Sequence, residues 1–208
     1  MRYDPALPAN MRAQLEREDR DSRAWALAFS AACEQGDVEE FLAIVSRSIE
    51  VVDGWRLAFR KVARLRRISP KIRAAFVNVW VESKHLPLSI GDRRTAADGL
   101  RVLFPGGYRG APIRLFRGAG GRERRHQLYG FSWTTRLDVA RTFAEKWRPS
   151  VHGGVVLETS APASSVLLVR KEADYYDEGE VVVDPFRLGP IGVVERLAPP
   201  SPAPPDEV

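Results

Sequence analysis

The sequence predicts an α+β fold, with helices in the first half of the chain and strands in the second. Over the first half, apolar residues recur at helical spacing between recognisable caps. From Ala111 onward they come instead in short β-branched or aliphatic runs bounded by Gly, Pro or Asp. The length of 208 residues suits one ordinary domain, or one domain with an added subdomain. A chain of this size buries roughly 70% of its unfolded surface, so its core needs no disulfide or metal to hold it.

The elements follow in order. Asp21 is placed to cap SRAWALAFSAAC, which ends at Gly36. Asp37, with Glu40 three residues later, forms a capping-box start for VEEFLAIVSRSI. Asp53 opens a third helix in which Trp55, Phe59, Val62 and Leu65 share a face. Ser69-Pro70 pairs an N-cap with proline at the first helical position, and Ile72, Phe76 and Trp80 continue the apolar stripe. A fifth, shorter helix covers TAADGLRVL and breaks at Phe104-Pro105-Gly106-Gly107. The strands are Ile113–Phe116, Val155–Thr159, Val166–Arg170, Val181–Val183 and Val193–Leu197. One helix interrupts them, capped by Thr135 with Asp138, and Val139, Phe143 and Trp147 lie on one of its faces. The boundaries drawn are a helical subdomain over 1–108, a β-rich core over 109–198 and a proline-rich tail over 199–208 that adds no regular element.

Composition excludes several classes. Hydrophobic residues make up 44% and charged residues 28%, a globular balance. There is no long apolar run and no apolar leader, so the expected setting is soluble and cytoplasmic, with no membrane partner. Cys33 is the only cysteine, which rules out a disulfide framework or a cysteine-built zinc site. His85, His126 and His152 are scattered without metal-ligand spacing. The net charge is +5, and only five of the 32 basic residues are lysines.

Three short motifs in the β-rich half carry groups able to do chemistry. They are Leu115-Phe116-Arg117-Gly118 at a strand end, Gly130-Phe131-Ser132-Trp133-Thr134-Thr135 running into the capped helix, and Asp177-Glu178-Gly179-Glu180 heading the Val181–Val183 strand. Singly, each has an ordinary structural reading as a salt-bridge partner, a cap or a solvated turn. Glu178 and Glu180, however, fall on the same face of an extended chain, where two carboxylates side by side are costly unless used.

In this order the motifs resemble the mono-ADP-ribosyltransferases of the arginine–serine–glutamate type, a family that includes bacterial toxins and phage enzymes. Phe116-Arg117-Gly118 is similar to the family's aromatic-Arg-Gly, Ser132-Trp133-Thr134 to its Ser-x-Thr, and Glu178-Gly179-Glu180 to its Glu-x-Glu. DVARTFA resembles the helix that follows the second motif, and EVVVDP the family's third strand. The resemblance covers about Ile113 to Leu197 and leaves the first hundred residues unmatched. It implies a split, strongly bent β-sandwich with a helical subdomain in front, and a reaction that transfers ADP-ribose from NAD, the co-substrate, to a macromolecular acceptor, protein or nucleic acid.

The chemistry agrees with the implied roles. Cleaving the nicotinamide–ribose bond develops positive charge on the ribose, as glycoside cleavage does. By the resemblance Glu180 stabilises that charge, Glu178 orients or deprotonates the acceptor, Arg117 holds the pyrophosphate and Ser132 ties the strands together. NAD contacts are implied for Arg117, Gly118, Ser132, Thr134 and Phe143. The Glu-x-Glu form is the one the family pairs with arginine acceptors. An antitoxin or immunity protein is a further implied partner, and no metal is expected. Two other readings stand beside this one: a NAD glycohydrolase, with water as acceptor, and a non-enzymatic nucleic-acid-binding module.

The last reading rests on charge. Between Gly54 and Val81 lie eight Lys or Arg and no acid. Arg56, Arg60, Arg64 and Arg67 recur at spacings of four, four and three, opposite the apolar stripe. Arg109, Arg114, Arg122, Arg124 and Arg125 form a second basic cluster flanking Arg117. Either group is a solvated face or a contact for phosphates or an acidic partner. Tyr129, Phe131, Trp133 and Trp147 are core aromatics or stacking surfaces for a base or nicotinamide.

Overall fold

The computed structural model describes residues 6–48, 51, 53–83, 85–170 and 178–200. The chain divides into two compact units, Met1–Pro105 and Gly106–Val208. Among the described residues no helix is long and apolar enough to cross a membrane.

The first unit is helical: α1 (Ala9–Gln35), α2 (Val38–Ser46), α3 (Gly54–Val62), α4 (Pro70–Glu82), α5 (Leu86–Ile90) and α6 (Arg93–Leu103). The local caps act as the sequence predicts at three places. Asp37 accepts from the Glu40 N–H at 3.0 Å, Ser69 accepts from the Lys71 N–H at 3.3 Å, and α1 ends at Gly36. Asp21, by contrast, is not a cap. The helix starts at Ala9, because the preceding MRAQLERED stretch is made of strong helix formers and carries an Asp19–Arg23 pair at 2.8 Å. The third helix ends at Val62, so Leu65 lies beyond it. The five-residue α5 has too short an apolar run to be legible as a period.

The core of this unit is an aromatic chain. Trp25, Phe29, Phe41, Trp55, Phe59, Phe76, Phe104 and Trp80 follow one another with ring centroids 5.1 to 6.2 Å apart. Edge-to-face geometry dominates, as the ring quadrupole favours. The Trp25 indole N–H is satisfied by the Ile44 carbonyl at 2.9 Å. Cys33 is fully buried here, and desolvation pushes its thiol up to about 12, far from a reactive thiolate.

The second unit is one antiparallel six-stranded sheet with strand order β4-β5-β2-β1-β3-β6. The strands are β1 (Ile113–Gly120), β2 (Ser132–Thr134), β3 (Gly154–Ala161), β4 (Val166–Val169), β5 (Glu180–Val183) and β6 (Ile191–Leu197). A short helix, α7 (Gly121–Arg125), follows β1, and α8 (Leu137–Trp147) follows β2. The sequence signalled no helix at α7, since a glycine followed by charges reads as loop.

One sheet face carries Leu115, Ala119, Trp133, Val155, Leu157, Val181 and Val183, with Tyr129 packed in the same cluster. On the other face Phe116 and Val156 pack with Ala140 and Ala144 of α8. The contact with α8 is close enough to exclude side chains at two positions. A Cβ at Gly118 would strike the backbone of Ala140 and Ala144, and one at Gly154 would strike Ala144. Gly118 and Gly154 therefore serve helix–sheet packing.

The start of α8 differs from its predicted cap. Thr135 is exposed and precedes the helix, and the N-cap position belongs to Arg136, with no side-chain cap bond of its own. Instead the Thr134 hydroxyl accepts the Arg136 N–H at 2.9 Å. The proline-rich tail beyond Pro200 and Asp177 of the third motif lie outside the described residues.

Candidate functional site

The three motifs fall on three adjacent strands, in the order β5-β2-β1. Register places Phe116 opposite Thr134 and Thr134 opposite Glu180. Cross-strand partners share a face, so these three form one row across the sheet. A cleft of about 230 Å³ opens over this row. Its walls include Phe116, Arg117, Gly118, Ser132, Thr134, Glu178 and Glu180, with Val139, Phe143 and Trp147 from α8. The residues to which the resemblance gives a catalytic or NAD-binding role, Arg117, Gly118, Ser132, Thr134, Phe143, Glu178 and Glu180, all border this cleft.

The geometry at the two glutamates departs from an extended chain. The strand β5 begins at Glu180, and Gly179 sits at φ +58°. Its carbonyl accepts the Thr135 N–H at 3.0 Å, and the Thr134 hydroxyl donates to the Glu178 carbonyl at 2.5 Å. Glu178 and Glu180 thus meet the cleft on either side of a left-handed kink that glycine adopts without strain. Glu178 is exposed, whereas Glu180 is half-buried.

Glu180 has a basic partner that sequence reasoning did not assign. Arg170, just past β4, donates through Nη1 to Glu180 Oε2 at 3.3 Å, and both side chains are mostly buried. The Arg170 main-chain N–H also donates to the Glu180 carbonyl, at 3.1 Å. Only the β4–β5 pairing brings the two together, so no local signal could reveal it.

Arg117 is held firmly. Its Nε and Nη2 donate to the Glu123 carboxylate at 2.8 and 3.2 Å, and Nη1 donates to the Ser132 carbonyl at 2.7 Å. Glu123 also accepts the Gly130 N–H at 3.1 Å. The fork-to-carboxylate match is the strong, oriented kind. Ser132 ties the strands through its carbonyl, while its hydroxyl makes no hydrogen bond among the described residues. Arg117 has two N–H groups beyond those three bonds, which is what it can offer a ligand.

Of the four aromatic residues weighed from sequence, Tyr129, Phe131 and Trp133 are buried, and the Trp133 Nε1–H donates to the Gly130 carbonyl at 3.1 Å. Trp147 is 51% exposed and lines the cleft with Phe143. From the second basic cluster, Arg114 pairs with Glu158, leaving Arg109 exposed ahead of β1 and Arg122, Arg124 and Arg125 on α7. Among the described residues no group of three or more His, Cys, Asp or Glu is placed to hold a metal ion.

The cleft therefore combines one braced carboxylate, one exposed carboxylate, a braced guanidinium and an aromatic wall. No protein-family model, no curated protein and no solved structure matches the chain.

Proposed function

We propose that the sheet unit is a NAD-dependent mono-ADP-ribosyltransferase site. The observation that carries this reading is the convergence of the three motifs on one cleft, through three adjacent strands and a shared cross-strand row. A volume of about 230 Å³ is small for enclosing a whole drug-sized ligand. It suits the nicotinamide–ribose end of a dinucleotide, with the rest lying across the open mouth.

In this reading Phe143 and Trp147 supply the flat apolar surface for the nicotinamide ring. The C1′–N bond breaks with its electron pair going to nicotinamide, and positive charge grows on the ribose. Glu180, held in place by Arg170, faces that charge as a fixed anion. The acceptor nucleophile attacks C1′ and passes its proton to Glu178, whose exposure lets a macromolecule reach it. Arg117, oriented by Glu123, directs its remaining N–H groups to the phosphates.

The test is incubation of the protein with NAD labelled in the adenosine moiety, together with a cell lysate. Label that becomes resistant to nuclease and sensitive to protease marks a protein acceptor, and the reverse pattern marks nucleic acid. Free labelled ADP-ribose alone makes the protein a glycohydrolase. No consumption of NAD under any of these conditions overturns the proposal.

A further inference from the structure

The helical unit carries a second cleft that the transferase reading does not use. It lies between α3 and α6, has a volume of about 600 Å³ and is lined by Arg60, Arg64, Arg101, Thr95, Asp98 and the small residues Ala63 and Val102. Arg101 is paired with Asp98 at 2.7 Å. Arg60, Lys61, Arg64, Arg66 and Arg67 have no acidic partner within ion-pair distance among the described residues. The stripe expected along one helix is in fact a ridge, because α3 stops at Val62 and the chain turns there, leaving Arg64 and Arg67 beyond its end. Folding adds Arg101 from α6 to the opposite wall.

Stability explains this charge only in part. Arg60 and Lys61 sit favourably in the last turn of α3, whereas Arg64, Arg66 and Arg67 follow the helix and pair with no acid among the described residues. The Asp92 carboxyl at the α6 cap, held below its usual range first by the hydrogen bonds from Thr95, also feels the field of Arg60 and Arg56. A local excess of like charge raises the energy of the folded state unless an anionic partner neutralises it.

We infer that the α3–α6 cleft binds the phosphodiester backbone of a nucleic acid. Arginine is the side chain whose planar fork matches phosphate oxygens, and it supplies all the cations lining the cleft. The aromatic rings of α3 and its neighbours are buried in the core, so no base-stacking platform is offered. The contact reads backbone charge and not sequence. An acidic peptide would need apolar anchor pockets, and the lining holds only Ala63 and Val102. A membrane surface would need an exposed apolar face on α3, yet Trp55, Ala58, Phe59 and Val62 are all buried. The inference does not depend on NAD chemistry.

The test is fluorescence anisotropy of the full chain with short end-labelled RNA and DNA strands of mixed sequence, from about 50 to about 200 mM salt. Binding should be insensitive to sequence and should weaken steeply with salt, and the tighter strand identifies the source of the backbone. Arg60→Gln with Arg64→Gln should weaken binding roughly tenfold and flatten the salt slope by one to two, roughly one per lost phosphate contact. Both side chains are exposed, so an unchanged thermal melt checks the fold. Arg148→Gln with Arg196→Gln removes two exposed arginines of the sheet unit that belong to neither basic cluster and should leave binding within about twofold, as expected for residues outside the contact. Three outcomes overturn the inference: no binding at low salt, equal loss in the two double variants, or retention on phosphatidylserine vesicles in place of either strand.

Discussion

Glu180 and Arg170 are joined twice, once by the Nη1–Oε2 ion pair at 3.3 Å and once by the main-chain N–H to carbonyl bond at 3.1 Å. The backbone bond belongs to the sheet, so the side-chain pair is the part a substitution can remove. Arg170→Gln leaves a half-buried carboxylate short of its partner and should cost roughly 1–3 kcal/mol of stability. Under the transferase reading it should lower kcat for NAD cleavage by roughly 10–10²-fold with a smaller change in KM, because Glu180 is misdirected while the binding wall is intact. Arg170→Lys should recover part of the rate. A parallel collapse of kcat and fold in both variants would mean a purely structural pair.

The two glutamates should separate. Glu180→Gln removes the charge facing the ribose and should abolish both transfer and slow NAD hydrolysis. Glu178→Gln should leave hydrolysis largely intact while transfer falls by roughly 10²-fold, the scale of a lost general base. Radiometric transfer and nicotinamide release, measured side by side, check this. Full activity in Glu180→Gln would remove the assignment.

Arg117 and Glu123 form a brace whose loss should be readable without turnover. NAD that binds only the folded protein should raise its melting temperature by mass action. Arg117→Ala should reduce that increment and also lower the unliganded melting point, since Glu123 is left without its partner. Glu123→Gln, which keeps the size of the side chain, should reduce the increment as well if Arg117 acts through its orientation. An increment unchanged in both variants would take the brace out of the binding site.

The seat of α8 on the sheet should be intolerant of a single methyl group. Gly118→Ala puts a Cβ against the main chain of Ala140 and Ala144, where no side-chain rotation relieves it. The expected cost is roughly 1–3 kcal/mol from forced backbone shifts, with loss of the cleft wall formed by Val139 and Phe143. Denaturant unfolding measures the first effect and the NAD thermal increment the second.

A pH effect is expected at Asp92, which accepts the Thr95 N–H at 2.6 Å as the cap of α6. Its carboxyl is held below the usual range, first by the hydrogen bonds from Thr95 and then by the field of Arg60 and Arg56. A lowered folded-state value means the contribution is complete above the ordinary carboxylate range and is lost as pH falls through the folded value. Asp92→Ala should cost about 1 kcal/mol at neutral pH, and its melting point should converge on the parent's on acidification.

What the sequence determined by itself is what acts within a few residues. Caps at Asp37 and Ser69 depend on a side chain and an amide two or three positions away, and the buried aromatics of α3 and α4 follow a period that one helix satisfies alone. The short β-branched runs were legible as strands for the same reason, and so were the three motifs at their ends. Tertiary structure decided the partners. Glu123 reaches Arg117 from a helix with no sequence signal, and Arg170 meets Glu180 only through the β4–β5 register. Gly118 and Gly154 look like loop glycines until α8 is laid on them. Arg101 joins Arg60 and Arg64 because α6 packs beside α3. Each of these depends on which elements become neighbours, a long-range outcome of burying both faces of the sheet and one face of every helix, and no local pattern encodes it.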